Sequence, residues 1–246
     1  MRTSPQHAAA HQHTTQPPRD GADTVTGCGV MGVPFESGDY LALRRWPVSS
    51  FGPGYTSVWH RTAQGEWTIY ADAPPEVSCA RFMSSAVSTV VTLPITMRWT
   101  GADYLHIDAP PRIEWTVRFG PSTATRALSR MAGMLPAPVW RSDRALWLLG
   151  GIAGVALGTG TVQMTGITPN GHRFRVHPLR LWMVRDSRAH VDGVPTGPPR
   201  LPEHTARIGP VRLPRRGLFF AETSAEFTPP GSTPDAPPST RSHVLG

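Results

Sequence analysis

Hydrophobic and polar side chains alternate with a period of about two along much of the middle of this chain, the spacing of half-buried strands. In RIEWTVRF, Arg112 to Phe119, the apolar Ile113, Trp115, Val117 and Phe119 alternate with Arg112, Glu114, Thr116 and Arg118. YLALRRW (Tyr40 to Trp46), PITMRWTG (Pro94 to Gly101) and ADYLHID (Ala102 to Asp108) read as further strands, and a last one is expected around Gly217 to Phe227. Between them the period changes. STATRALSRMAGML and SDRALWLLGGIAGVAL read as two helices, with Ser122 and Ser142 as N-caps and Pro136 to Pro138 separating them. Strands resume in TVQMTGITPNGHRFRVHPLRLWMV, where Asn170-Gly171 predicts a type I′ turn, and Asp192-Gly193 marks another. Strands, then helices, then strands, joined by hairpin-length links, favour an antiparallel barrel over βαβ units. The expected fold is therefore mainly β, one β-barrel domain over 33–227 with a helical insert at about 122–157. The stretches 1–32 and 228–246, rich in Pro, Gly, Thr and Ser, are expected to be disordered tails.

The stretch SVWHRTAQGEWTIYAD, Ser57 to Asp72, predicts a hairpin dense in aromatic and polar side chains. A three-residue loop Ala63-Gln64-Gly65 places Thr62 opposite Glu66 and puts Gly65 in the left-handed position. One face then carries Trp59, Trp67, Ile69 and Ala71, and the other Val58, His60, Thr68, Tyr70 and Asp72. A two-residue loop mixes the two sets. The first register is preferred, because mixing would bury His60 or Asp72 without partners at a cost of several kcal/mol. The polar face meets either solvent or a barrel lumen.

Composition changes this picture in four places. The net charge is +7 and the pI about 10.6, yet every basic residue is Arg and the arginines are scattered. A phosphate-binding surface shows as a cluster or stripe, so no nucleic-acid partner is expected. Two cysteines, Cys28 and Cys79, lack metal-ligand spacing, and a disulfide between them has no support in the pattern. The N-terminus has no apolar signal segment, which points to a cytoplasmic protein. Ala145 to Met164 is uncharged over a span-like length and carries Gly150, Gly154 and Gly158 at four-residue spacing. Its last part is polar (Thr159, Thr161, Gln163), which leaves an apolar helix at Ala145 to Leu157. A buried helix is the expectation, and a membrane-docking one the alternative.

No nucleophile elbow, Walker loop or dinucleotide fingerprint is present. His7, His11 and His13 lie in the expected tail, and His106/Asp108 and His190/Asp192 are H-x-D pairs, but no metal site or cofactor is expected. General acid–base work calls for a carboxylate or His in a dry pocket. His60, Tyr70 and Asp72 are the candidate catalytic residues. Trp59, Trp67, His106, Glu114 and Trp115 are the candidate substrate contacts, since eight tryptophans exceed what a modest core needs and aromatic walls build small-molecule pockets.

Ser57-Val58-Trp59-His60 followed by Gly65, Trp67 and Tyr70 resembles the lipocalin-like (calycin) family of carotenoid hydratases, the hydroxyneurosporene synthases, and related polyketide cyclases. TPNGHRF and RLPRRGLFF resemble actinobacterial proteins of this general type. The resemblance implies a lipocalin-like barrel that binds a polyene, isoprenoid or polyketide-like molecule and promotes a cofactor-free cyclisation, isomerisation or hydration. The alternatives are a non-catalytic carrier or sensor of an apolar ligand, and a membrane-associated protein docking through residues 145–157. The sequence leaves the oligomeric state open.

Overall fold

The computed structural model describes residues 3–11 and 21–231. Its strands are β1 (Asp23–Pro34), β2 (Tyr40–Ser49), β3 (Tyr55–Arg61), β4 (Trp67–Ala71), β5 (Thr89–Thr92), β6 (Thr96–Gly101), β7 (Tyr104–Ala109), β8 (Ile113–Gly120), β9 (Thr165–Ile167), β10 (Arg173–Val191), β11 (Val194–Pro195), β12 (Arg207–Ile208), β13 (Val211–Arg212) and β14 (Leu218–Thr228). The helices are α1 (Pro5–Ala10), α2 (Ala80–Met83), α3 (Thr123–Met134), α4 (Ala137–Arg141) and α5 (Asp143–Leu157). The main sheet runs β5-β4-β3-β2-β1-β14-β10-β8-β7-β6, with β9 and β11 pairing to β10 and a separate β12–β13 ladder. Its two edge strands, β5 and β6, follow one another in sequence, separated by Leu93, Pro94 and Ile95. The sheet must therefore curl until its edges approach, and the fold is mainly β with a strongly curled sheet.

That curl makes an inside. Val30, Leu41, Val58, Tyr70, Leu105, Ile107, Trp115, Phe119 and Phe219 join one buried cluster, and Val91 and Trp99 from the two edge strands pack on it. The Trp99 ring lies 5.8 Å from Phe119 and 5.9 Å from Phe219, so an edge strand reaches the middle of the sheet across the interior. The outer face divides in three. Over β1 to β4 a second cluster packs under α2 and the segment holding Ala206, Ile208 and Leu213. Over β10 and the start of β14 a third packs under α3 to α5. Over β6 to β8 the outward side chains stay polar and half to fully exposed.

Every pair along the main path is antiparallel except β4 with β5, which is parallel. The expectation of an antiparallel barrel is corrected there. A parallel neighbour needs a crossover to bring the chain back to the same end, and α2 with its flanking 3₁₀ turns provides it. The expected N-terminal tail is also corrected. β1 begins inside it, and α1 puts Ala8, fully buried, against the inner cluster while Gln6 N–H donates to the Ala102 carbonyl at 3.1 Å. β1 looks like a loop in sequence because of its glycines. An added Cβ at Gly29 would meet the Leu43 carbonyl oxygen at 2.3 Å, and Gly32 holds φ 68° under the Tyr40 ring. The glycines admit close neighbours in a strand; they do not loosen it.

The helical insert starts and stops on the expected signals. Ser122 forms a capping box with Thr125, Ser142 caps α5, and Gly158 ends α5 at φ 60°. Between Pro136 and Ser142 lies the short α4, so the insert holds three helices where two were expected. The glycine stripe of α5 has a local use: added Cβ atoms at Gly150 and Gly154 would meet the Val162 and Gly160 carbonyl oxygens at 2.1 and 1.7 Å. Among the described residues no helix is long and apolar enough to cross a membrane. The Asn170-Gly171 turn is present but is not type I′, since Gly171 alone of the pair has positive φ. Asn170 is instead tied to the α2 region, its amide donating to Arg81 O and Ser84 Oγ, both at 2.9 Å.

Candidate functional site

Hairpin β3–β4 takes the register that separates apolar from polar positions. Arg61 pairs with Trp67, Thr62 N–H donates to Glu66 O at 2.9 Å, and Gly65 has φ 95°. Trp59, Trp67 and Ile69 belong to the outer cluster and Val58 and Tyr70 to the inner one. The polar face therefore turns inward, but onto packed side chains: Trp115, Phe119, Phe219, Leu41 and Leu105 are all below 2% exposed.

The three candidate catalytic residues are not gathered at one point. His60 is buried, with Nε2 2.6 Å from Asp39 Oδ1, and Asp39 Oδ2 accepts the Ser37 hydroxyl at 2.6 Å. Asp39 thus stands between serine and histidine, whereas an activated nucleophile needs its base alongside. Tyr70 is buried, with Arg112 in hydrogen-bonding reach. Asp72 is exposed at the end of β4, where Oδ1 accepts Thr56 N–H at 2.6 Å. It lies four residues beyond Thr68, the partner of His60, or about 13 Å along the strand.

The candidate substrate contacts scatter as well. Trp115 is in the inner core, its indole N–H donating to Ser187 Oγ at 2.8 Å, and Trp67 donates to the Arg207 carbonyl at 2.7 Å. His106 and Glu114 lie on the exposed outer face. Strand register aligns Thr96, Asp108, Glu114 and His190 in one row and Arg98, His106, Thr116 and Arg188 in the next. His106 Nε2 is 3.0 Å from Asp108 Oδ2, and an open groove of about 510 Å³ runs past Asp108, Glu114 and His190. Among the described residues no three His, Cys, Asp or Glu side chains are arranged to hold a metal ion; His13 lies outside the described residues.

Trp59 alone of the candidates borders a partly open apolar cavity, of about 70 Å³, on the outer face under α2. Trp46, Trp59, Phe82, Phe174 and Phe220 wall it, with Gln163 and the exposed Arg212 also lining it. Arg44, on β2, also lines it and is only 7% exposed. Its Nη1 donates to the Val30 and Leu43 carbonyls, each at 2.8 Å. Its guanidinium carbon stacks 4.7 Å from the Trp59 ring and 5.4 Å from Phe220. The Val30 bond has a local cause, since the β1–β2 register slips between Val30 and Val33 and that carbonyl needs a donor. This duty uses Nη1. Among the described residues neither Nε nor Nη2 meets an acceptor, and no carboxylate pairs with Arg44.

The thiol and hydroxyls beside Arg44 are polar but uncharged. Cys79 Sγ lies 3.2 Å from Tyr55 Oη and 3.4 Å from Ser57 Oγ, and Ser57 accepts the Trp59 indole N–H at 3.2 Å. Burial pushes the Cys79 thiol up despite hydrogen bonds from Ser57 and Tyr55, and pushes the Tyr55 phenol well up. Burial likewise lowers Arg44, but a guanidinium stays charged at any physiological pH. Two hydrogen bonds to the cation, about 1.5–3 kcal/mol each, and two ring contacts, about 0.5–2 kcal/mol each, make this burial tolerable without an anion. The cavity is thus apolar, aromatic and positive. Both cysteines are free, Cys28 in the inner cluster and Cys79 in the outer.

No protein-family model matches this chain. No curated protein matches its sequence either. Among solved structures, a crystal structure titled acetoacetate decarboxylase from Legionella pneumophila subsp. pneumophila str. Philadelphia 1 aligns over 85% of this chain and 83% of that one, at 10% identity and a TM-score of 0.36. So loose a likeness carries no argument. The resemblance of the β3–β4 hairpin to carotenoid hydratases is not supported by these comparisons. Strand alternation held part of the signal: in YLALRRW, Tyr40, Ala42 and Trp46 share a face with Arg44, but Arg45 stands equally beside Leu41 and Leu43, so only the burial of both faces singles out Arg44.

Proposed function

We propose that this protein binds a compact organic anion, an apolar or aromatic carboxylate, with its acid group on Arg44 and its body among Trp46, Trp59, Phe174 and Phe220. One observation carries the reading: a buried guanidinium borders an aromatic cavity and, among the described residues, has no carboxylate of its own. A planar guanidinium matches a carboxylate as a pair of parallel hydrogen bonds. An apolar wall with one such polar anchor is the usual construction of a small-molecule site.

Binding is favoured over cyclisation, isomerisation or hydration because the cavity wall offers no base. Cys79, on the wall, and Tyr55, which lies 3.2 Å from it, are held protonated by burial. His60, Tyr70 and Asp72 are not among the residues that line this cavity. No lysine side chain is present to form a Schiff base with a keto acid. Thermal unfolding with benzoate, against the uncharged benzyl alcohol, tests the proposal. Benzoate near a hundred times its Kd is expected to stabilise the protein by about 2.7 kcal/mol, benzyl alcohol far less, and Arg44→Met to abolish the difference. Equal stabilisation of Arg44→Met, or none of the parent by any of a panel of aromatic and short-chain carboxylates, overturns it.

A further inference from the structure

Helix α5 uses one apolar face and leaves another uncovered. Leu146, Gly150, Ala153, Gly154 and Leu157 are buried against the returning chain and the sheet. On the opposite side Trp147 is 75% exposed, Leu148 57%, Ile152 47% and Val155 85%. Gly151 and Ala156 continue that side, and both are exposed. A soluble surface helix carries charged and polar residues there, and a contiguous apolar surface of this kind marks an interaction site.

Its charge says what kind. Arg144 falls on the same stripe as Trp147, Leu148, Gly151 and Val155 by helical spacing, and is exposed. At the other end Arg216, also exposed, brings Nη1 to within 3.6 Å of where a Gly158 Cβ would stand. Cations therefore bracket an apolar stripe about 22 Å long. The insert from 122 to 157 holds four arginines (Arg126, Arg130, Arg141, Arg144) and one acid, Asp143, which Arg175 and Arg173 already neutralise. A second copy would bring this positive face against itself, so a symmetric dimer is disfavoured by like charge. We infer that α5 docks flat on an anionic lipid surface, with Trp147, Leu148, Ile152 and Val155 entering the interface and Arg144 and Arg216 meeting lipid phosphates. An in-plane amphipathic helix needs this combination of apolar stripe, tryptophan and flanking cations, and its length excludes a span.

The test is co-sedimentation of the full chain with vesicles of seven parts phosphatidylcholine to three parts phosphatidylglycerol, against pure phosphatidylcholine. The protein is expected to pellet with the anionic vesicles, weakly with the neutral ones, and to release in high salt. Trp147→Ser with Val155→Ser should weaken binding at least tenfold, and Arg144→Gln about fivefold. None of these should move the thermal midpoint, because the side chains are exposed. Protein left in the supernatant with both vesicles overturns the inference. So does pelleting that the Trp147 and Val155 substitutions do not change, or a dimer in solution that those substitutions dissolve while vesicles go unbound.

Discussion

Two buried arginines on the same sheet are treated in opposite ways. Arg175, on β10, is 5% exposed and its Nε lies 2.6 Å from Asp143 Oδ1. Asp143 also takes the Thr165 hydroxyl at 3.0 Å and Arg173 at 3.2 Å, so the pair clamps the first turn of α5 to the sheet. Arg44, on β2, is as buried, yet among the described residues it meets main-chain carbonyls and aromatic faces and no carboxylate. A buried cation with its anion supplied by the chain is part of the structure. One whose anion is missing, beside a cavity, has room for an anion from outside. The difference is chemical as well as geometric, because Asp143 is ionised while the groups around Arg44 are thiol and phenols.

Removing an acid should separate the two most strongly. Asp143→Ala leaves Arg175 buried without a partner and is expected to cost about 2–4 kcal/mol in urea unfolding, somewhat below the figure for a fully dry pair because Asp143 is one-third exposed. The pH dependence sharpens the contrast. Burial acts to raise the Asp143 pKa, but hydrogen bonds from Arg175 and Thr165 together with the charges of Arg175 and Arg173 outweigh it and hold the carboxyl below its ordinary value of 3.8. Its contribution is therefore present above that value and lost as pH falls through the lowered one. Asp143→Asn should flatten the acid limb. Cys28, raised by burial from 9.0 to about 12, behaves in the opposite sense. The unfolded thiol ionises first, so stability falls as pH rises above 9, by about 1.4 kcal/mol per pH unit up to about 12. Urea midpoints of Cys28→Ser across that range should decline less steeply.

Arg44→Met comes next. It strands no acid but takes the donor from the Val30 and Leu43 carbonyls, so with relief of the buried charge offsetting part of the loss it should cost about 1–2 kcal/mol. A loss as large as that of Asp143→Ala would make Arg44 a structural clamp like Arg175 and erase the comparison. The smallest effects belong to the bare outer face. Glu114→Gln and His106→Ala, on half-exposed to exposed positions, are expected to stay within about 0.5 kcal/mol in the same urea assay.

What the sequence reveals about this molecule follows from how local each feature is. The RIEWTVRF alternation, the Thr62–Glu66 register and the Ser122 and Ser142 caps depend on neighbours a few residues away, and all are present in the structure. β1 is hidden because its glycines answer to Leu43, Tyr40 and Phe220, residues that local spacing does not place. Asn170 is read as a turn former, but its amide and its φ are set by α2, far away along the chain. The site is least legible of all. Hairpin aromatics drew the candidates toward His60 and Tyr70, whose face is filled from the opposite side of the curl. Arg44 stands out from Arg45 only once both faces of β2 are known to be covered.

The most direct measurement is the Arg44 side chain itself, seen as its Nε–H resonance in ¹⁵N-labelled protein and assigned by its disappearance in Arg44→Met. On titration with benzoate the Nε signal is expected to shift saturably, and to stay in place with benzyl alcohol. A signal that holds still while benzoate moves resonances elsewhere would contradict an anion site at Arg44.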